Sequence, residues 1–177
     1  MQVADSRTVK GDFGGARFTY RGVESRFTRD GDRYRVRTDG PDGQLADFDI
    51  RYVFGFRPLQ QYLIPMPGGR YQTLGVSWDS RPAAQGGQRW FHVYPDEPVD
   101  YRDVLHWTAS SQNWNYTCAE CHSTNLQKNY RAETKTYETT WSEINVSCEA
   151  CHGPASRHLE WAARDSVARA ADPLMGL

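Results

Sequence analysis

The chain has 177 residues, 38% hydrophobic and 24% charged, with a formal net charge of −1. That balance leaves no basic footprint for nucleic acid, and no apolar run reaches the roughly 18 residues that span a membrane. The length suits one ordinary domain, or a domain with a cofactor-bearing extension.

From residue 11 to about 57 the pattern is β. Arg17–Tyr20 is a short run of β-formers. Ser25–Arg29 runs into Asp30-Gly31, a hairpin turn signal, and Arg33–Thr38 returns with Tyr34 and Val36 on one face. A turn cluster over 39–43 leads to one amphipathic strand carrying Phe48, Ile50, Tyr52 and Phe54. Tyr62–Tyr71 reads as strand, proline-glycine turn and return. Leu74, Val76 and Trp78 alternate again, and Trp90–Tyr94 is a last short strand. These make six or seven strands, mainly antiparallel.

After Asp100 the turn signals thin out. Asp103–Trp114 is compatible with a helix. Thr117 and Glu120 have capping-box spacing, so a short helix is expected to start near Cys118. Residues 129–141 suggest a small hairpin. Leu159, Ala162, Ala163, Val167 and Ala170 lie at helical spacing over 155–171, with Pro154 before the run and Pro173 after it. The fold class is α+β: an N-terminal antiparallel β-sandwich or open barrel over 10–98, then a loop-rich helical region over 99–177.

All four cysteines fall in two copies of C-x-x-C-H, Cys118-Ala119-Glu120-Cys121-His122 and Cys148-Glu149-Ala150-Cys151-His152. This is the attachment motif of c-type haem. Two thiols add across the two vinyl groups of one porphyrin, and the next residue is held beside the iron. Cys118, Cys121, Cys148 and Cys151 are therefore the expected thioether anchors of two covalent haems. His122 and His152 are the expected proximal ligands. Paired C-x-x-C also suits a four-thiolate zinc site, and one C-x-x-C suits a thioredoxin-like redox pair. Neither requires a His after the second Cys, and the redox pair expects an α/β setting absent here.

Three other His remain as possible sixth ligands. His106 lies twelve residues before Cys118, beside Trp107. His158 lies six residues after His152, and could serve a neighbouring haem. His92, in a strand with Trp90 and Tyr94, reads as a packed sheet residue. Arginine outnumbers lysine eighteen to three, and Arg157 is placed to meet a haem propionate.

The stretches Asn113–Leu126 and Trp141–Pro154 carry a further signal, as do Phe56–Leu63 and Gly86–His92. Together they resemble a group of secreted multihaem c-type cytochromes with doubled C-x-x-C-H motifs. That group is related to the tetrahaem cytochromes of ammonia oxidisers, and many members carry tetratricopeptide repeats. The resemblance covers most of 12–165. It implies a periplasmic or secreted protein that transfers electrons, with the same anchors and proximal ligands. His158 falls in a Cys-His-Gly-Pro-x-Ser-x-His pattern similar to the group's. Members usually carry further C-x-x-C-H motifs on either side, so the chain is expected to be a piece of something longer. Its expected partners are a redox protein or further haem domains of the same chain, with no nucleic acid and no transmembrane segment.

Three functions compete on these residues. The first is an electron carrier with both irons six-coordinate. The second is an enzyme with one open iron site acting on a small nitrogen, sulfur or peroxide species. The third is a binding module stapled by zinc.

Overall fold

In the computed structural model, which describes residues 1–176, two antiparallel sheets share one hydrophobic core. The chain opens with β1 (Gln2–Val3). It then lays down β2 (Gly14–Tyr20), β3 (Val23–Asp30), β4 (Arg33–Asp39) and β5 (Leu45–Ile50) as a four-stranded meander. Asp30 pairs with Arg33 across a two-residue turn whose Gly31 has φ +57°. A left-handed first turn residue is what glycine supplies in such a hairpin. Alternation then sorts the faces. Phe27, Tyr34, Val36 and Ile50 point inward and are buried. Arg35 and Arg37 point outward and pair with Asp49 and Asp47 at 2.8 and 3.0 Å.

The expected single strand through Phe48 and Phe54 is two strands in two sheets. The chain leaves β5 at Ile50, turns at Arg51 and enters β6 (Tyr52–Phe54), which pairs with β1 on one side. Tyr52 and Val53 are both buried. Neighbours in a strand face opposite ways, so each needs its own apolar surroundings. Val53 joins the core shared by the sheets, and Tyr52 joins a second cluster with Leu63, Trp114 and Ala119.

On its other side β6 pairs with β7 (Leu59–Met66), which also pairs with β8 (Arg70–Thr73) and β9 (Val76–Asp79). β10 (Arg89–His92) adds to β9 at the sheet edge. Neither sheet closes into a barrel. Trp90 of β10 stacks on Phe27 of β3 at 3.6 Å between ring centroids and 7° between planes. Phe13 meets Phe27, Tyr34, Tyr62 and Trp90 edge-on at 5.0–5.6 Å. Edge-to-face rings add to the burial of their area.

At the end of β9 the Asp79 side chain is 7% exposed and takes the Arg81 guanidinium on both oxygens, the shortest bond at 2.6 Å. These hydrogen bonds hold its carboxyl at about 2, below the ordinary value of 3.8. A carboxyl depressed in the folded state stabilises it above the unfolded pKa. That contribution is lost as pH falls from about 3.8 toward about 2. Arg81→Ala should therefore raise the pH of acid unfolding. Tryptophan fluorescence along an acid titration measures this, and an unchanged midpoint would contradict it.

From Asp100 the chain runs in successive i→i+3 turns rather than the helix expected over 103–114. Long-range anchors hold it there. Trp107 Nε1 donates to the Asp39 carbonyl at 2.8 Å, and Gln72 Nε2 donates to the carbonyls of Trp107 and Ala109 at 2.9 Å each. Then come α1 (Trp114–Thr117), α2 (Ala119–His122), the small hairpin β11 (Tyr130–Arg131) with β12 (Thr136–Tyr137), and α3 (Glu149–His152). The helix expected over 155–171 is two helices, α4 (Ser156–Ala162) and α5 (Ser166–Ala170). Asp165 divides them because its side chain accepts from the Val167 and Ala168 N–H groups and caps α5.

Trp114 fixes this second half to the sheet. It is fully buried. With Trp141, Tyr52 and Tyr71 it closes a ring of four aromatics, successive centroids 5.3–6.2 Å apart. Asn115 beside it accepts from the Tyr71 N–H at 2.7 Å and donates to Gly69 O and Thr139 Oγ1. Gly69, at φ +72°, lies against the Tyr137 carbonyl where a Cβ would collide.

Candidate functional site

Each C-x-x-C-H forms one helical turn. Cys118 is the joint where α1 ends and α2 begins. The Cys121 N–H donates to the Cys118 carbonyl, and the Cys151 N–H to the Cys148 carbonyl, both at 3.2 Å. Residues three apart share a helix face, so each thiol pair projects from one side of its turn with the His next in line. The expected capping box at the first motif is not formed. Thr117 Oγ1 donates back to the Asn113 carbonyl at 2.8 Å instead.

All four cysteines are free thiols, Cys118 partly buried and the other three exposed. No three His, Cys, Asp or Glu side chains converge as a metal site among the described residues. A four-thiolate zinc site needs that convergence, so the zinc reading finds no assembled site.

The residues present fit covalent haem on two counts. The donor set, two free thiols one turn apart and an adjacent imidazole, occurs twice. The surroundings also lack an apolar partner: α3, α4 and α5 have no buried residue, and Leu159, Val167 and Leu174 are 65%, 78% and 68% exposed. Helices this short do not persist alone in water, and a macrocycle would supply the surface they need. When bound, it supplies an iron that cycles between ferric and ferrous states.

Thr124 couples the two motifs. It is buried, its N–H donates to Glu143 O at 3.0 Å, and its hydroxyl donates to Asn145 O at 2.8 Å. The same hydroxyl accepts from the Ser147 N–H at 2.8 Å. The segment leaving His122 is thereby tied to the segment entering Cys148. Between the turns lies a cleft of about 450 Å³, lined by Glu120, Ser123, Leu126, Glu149 and Pro154 among others.

The five His fall into two groups. His122 and His152 are exposed on their turns, and the Phe54 ring of β6 lies 5.9 Å from the His122 ring. His158 on α4 stacks with Trp161 at 5.3 Å. Its Nδ1 lies 2.8 Å from the Met175 carbonyl, which requires a proton on Nδ1 and leaves the lone pair on Nε2.

His92 and His106 sit elsewhere, buried around a small cavity of about 30 Å³ in the β region. His92 stacks on Tyr20 at 3.7 Å, and burial lowers its pKa. His106 has both ring nitrogens engaged, Nδ1 with Thr108 Oγ1 at 2.8 Å and Nε2 with Asp39 Oδ2 at 3.2 Å. In this arrangement neither nitrogen is free for iron. Phe54 carried no site signal in the sequence, where it reads as a strand residue, and Thr124 stood out only as part of the Asn113–Leu126 stretch that carries the resemblance. Arg157 is exposed on α4 without an ion-pair partner among the described residues.

The family described as cytochrome c554 and c-prime matches residues 89–153. This supports a c-type cytochrome. The matched span starts at β10 and takes in both C-x-x-C-H turns and the Thr124 linkage between them. It supports covalently bound c-type haem and electron transfer as the protein's work. No curated protein and no solved structure matches the chain. No helix among the described residues is long and apolar enough to cross a membrane.

Proposed function

We propose that the chain carries two covalent c-type haems and passes electrons as part of a larger multihaem cytochrome outside the cytoplasm. The observation that carries this reading is that both C-x-x-C-H turns lie within the family match, each with free thiols and an exposed following His. Cys118 and Cys121 anchor the first haem, with His122 as proximal ligand. Cys148 and Cys151 anchor the second, with His152. We assign residues 10–98 as the β domain and 99–177 as the haem region. Export is part of the proposal because haem is joined to C-x-x-C-H outside the cytoplasm. The electron donor or acceptor is a separate redox protein or a further haem domain of the same chain.

The chain's own residues hold and shield these groups. Trp114, Asn115 and the four-ring cluster hold the first turn against the sheet. Thr124 sets the second turn relative to the first, and the cleft between them supports close approach of two cofactors. With both His106 nitrogens engaged and His92 buried against Tyr20 in the β region, His158 is the remaining imidazole for a distal position, with Nε2 as its donor atom. Two irons need two distal ligands. The other comes from a different residue type or from a further segment, or its iron stays open, and that count favours the enzyme as a second reading.

The test is an alkaline pyridine haemochrome spectrum quantified against protein secreted by a haem-attaching host. Two c-type haems per chain are expected, and none, with zinc in their place, would overturn the proposal. The ferric spectrum of the same sample separates the two readings. Low-spin iron that resists cyanide marks the carrier, and a high-spin fraction that binds cyanide marks the open site.

A further inference from the structure

The loop between β6 and β7 carries a surface that haem attachment does not use. It begins at Phe54, beside His122, and continues through Gly55, Phe56, Arg57 and Pro58. Phe56 is 66% exposed. A large aromatic so exposed on a chain with this many buried rings has the character of an interface anchor. Lys10 Nζ lies 5.1 Å from its ring centroid.

The loop is held in place. Ser80 Oγ donates to the Phe56 carbonyl at 2.6 Å, and the Ser80 N–H to the Pro58 carbonyl at 2.8 Å. This sets Arg81 next to Pro58. Two adjoining clefts share those two residues. One, of about 350 Å³, is also lined by Arg57, Pro82 and Gln85. The other, of about 230 Å³, also takes in Leu59, Asp79, Arg89 and Phe91.

Arg57, Arg81 and Arg89 thus line clefts whose apolar walls are Pro58, Leu59 and Phe91, and Lys10 lies over the ring of Phe56 in the same loop. Among the described residues Asp79 is the one carboxylate lining either cleft, and Arg81 already pairs with it. Lys10, Arg57 and Arg89 have no ion-pair partner among the described residues. On a chain of net charge −1 this is a local positive face. It also lies close to the first haem turn. Phe54 and Phe56 are two residues apart, so their Cα atoms are within about 7 Å.

We propose that this face docks an acidic electron-transfer protein, with Phe56 as the apolar anchor and Lys10, Arg57 and Arg89 as the steering charges. The proposal rests on the electron-transfer reading above. Such contacts are small and short-lived, with an aromatic centre and a charged rim. Complementary charge acts mainly on the rate of encounter. In the transfer the partner's reduced cofactor would supply one electron, and the haem held by Cys118, Cys121 and His122 would accept it. No bond forms and no proton moves. A nucleic acid would need a longer basic stripe than these four side chains provide.

Stopped-flow reduction of the haem-loaded protein by reduced flavodoxin, a small acidic carrier, tests this. The wild-type rate should fall as salt rises. Arg57→Glu with Arg89→Glu should slow reduction at low salt by about tenfold and flatten or invert the salt dependence. Arg81 is left intact because it supports Asp79. Phe56→Ala should slow reduction without changing the salt slope. A charge-matched control, Arg21→Glu in the β2–β3 turn with Arg26→Glu on β3, should behave as wild type, and dithionite should reduce every variant at one rate. Equal slowing in the control pair, or no slowing in the Arg57 and Arg89 pair, overturns the docking face while haem content stays at two. A haemochrome showing no haem in any sample overturns the electron-transfer reading, and the docking proposal falls with it.

Discussion

Replacing Cys148 and Cys151 together by alanine should halve the covalent haem and release the end of the chain from its fold. The reason lies in what α3, α4 and α5 lack. They contain four, seven and five residues. Isolated helices shorter than about 12–15 residues are marginal in water even with good helix-formers. None of the three buries a residue, so packing against the protein does not hold them. What remains, on the proposed function, is the apolar surface of the haem that Cys148 and Cys151 would attach. The matching change at Cys118 and Cys121 should also remove one haem, with a different structural result. The helical segment there is held from beneath by buried Trp114 and Asn115, so α1 should stay formed. Haemochrome quantitation gives the first half of the result. Amide hydrogen exchange over residues 148–170 gives the second. Two haems remaining, or exchange protection that survives loss of the second pair, would contradict the assignment.

Trp114→Ala should cost the folded protein about 3–5 kcal/mol, the range for a large aromatic removed from a core. Trp114 is fully buried where the first C-x-x-C-H segment meets the sheet. Its ring contacts Tyr71 and Trp141, and the same cluster takes in Tyr52, Leu63 and Cys118. Its Nε1 has no hydrogen-bond partner among the described residues. The indole N–H therefore contributes no bond that a smaller ring would lose, and Trp114→Phe should cost well under half as much as the alanine change. Denaturant unfolding, with haem content checked on each sample, measures both. Thioether bonds do not depend on packing, so haem should stay attached in both variants while the midpoint falls. A phenylalanine variant as unstable as the alanine one would show that the N–H has a partner.

What the sequence determined by itself was local. Spacing within C-x-x-C-H puts two thiols one turn apart and an imidazole beside them, whatever surrounds the turn. The Asp30-Gly31 turn and the alternation through Tyr34 and Val36 likewise set the β3–β4 hairpin and its buried face, because turn chemistry and strand period act over a few residues. The Asp165 cap that divides α4 from α5 was local too, but helical spacing of apolar residues is indifferent to such a break.

Tertiary structure decided the rest. Arg51 is a corner because Tyr52 and Val53 must enter two different clusters, and alternation alone reads straight through it. His106 beside Trp107 reads as a ligand candidate until Asp39, sixty-seven positions earlier, occupies its Nε2. The same Asp39, with Gln72, holds the following turns out of a helix. Phe56 and Arg57 form part of a charged face only because Ser80 ties their loop beside Arg81. Each of these depends on segments distant in sequence meeting in space, and the free energy of that meeting comes from burial and buried hydrogen bonds, which no short window contains.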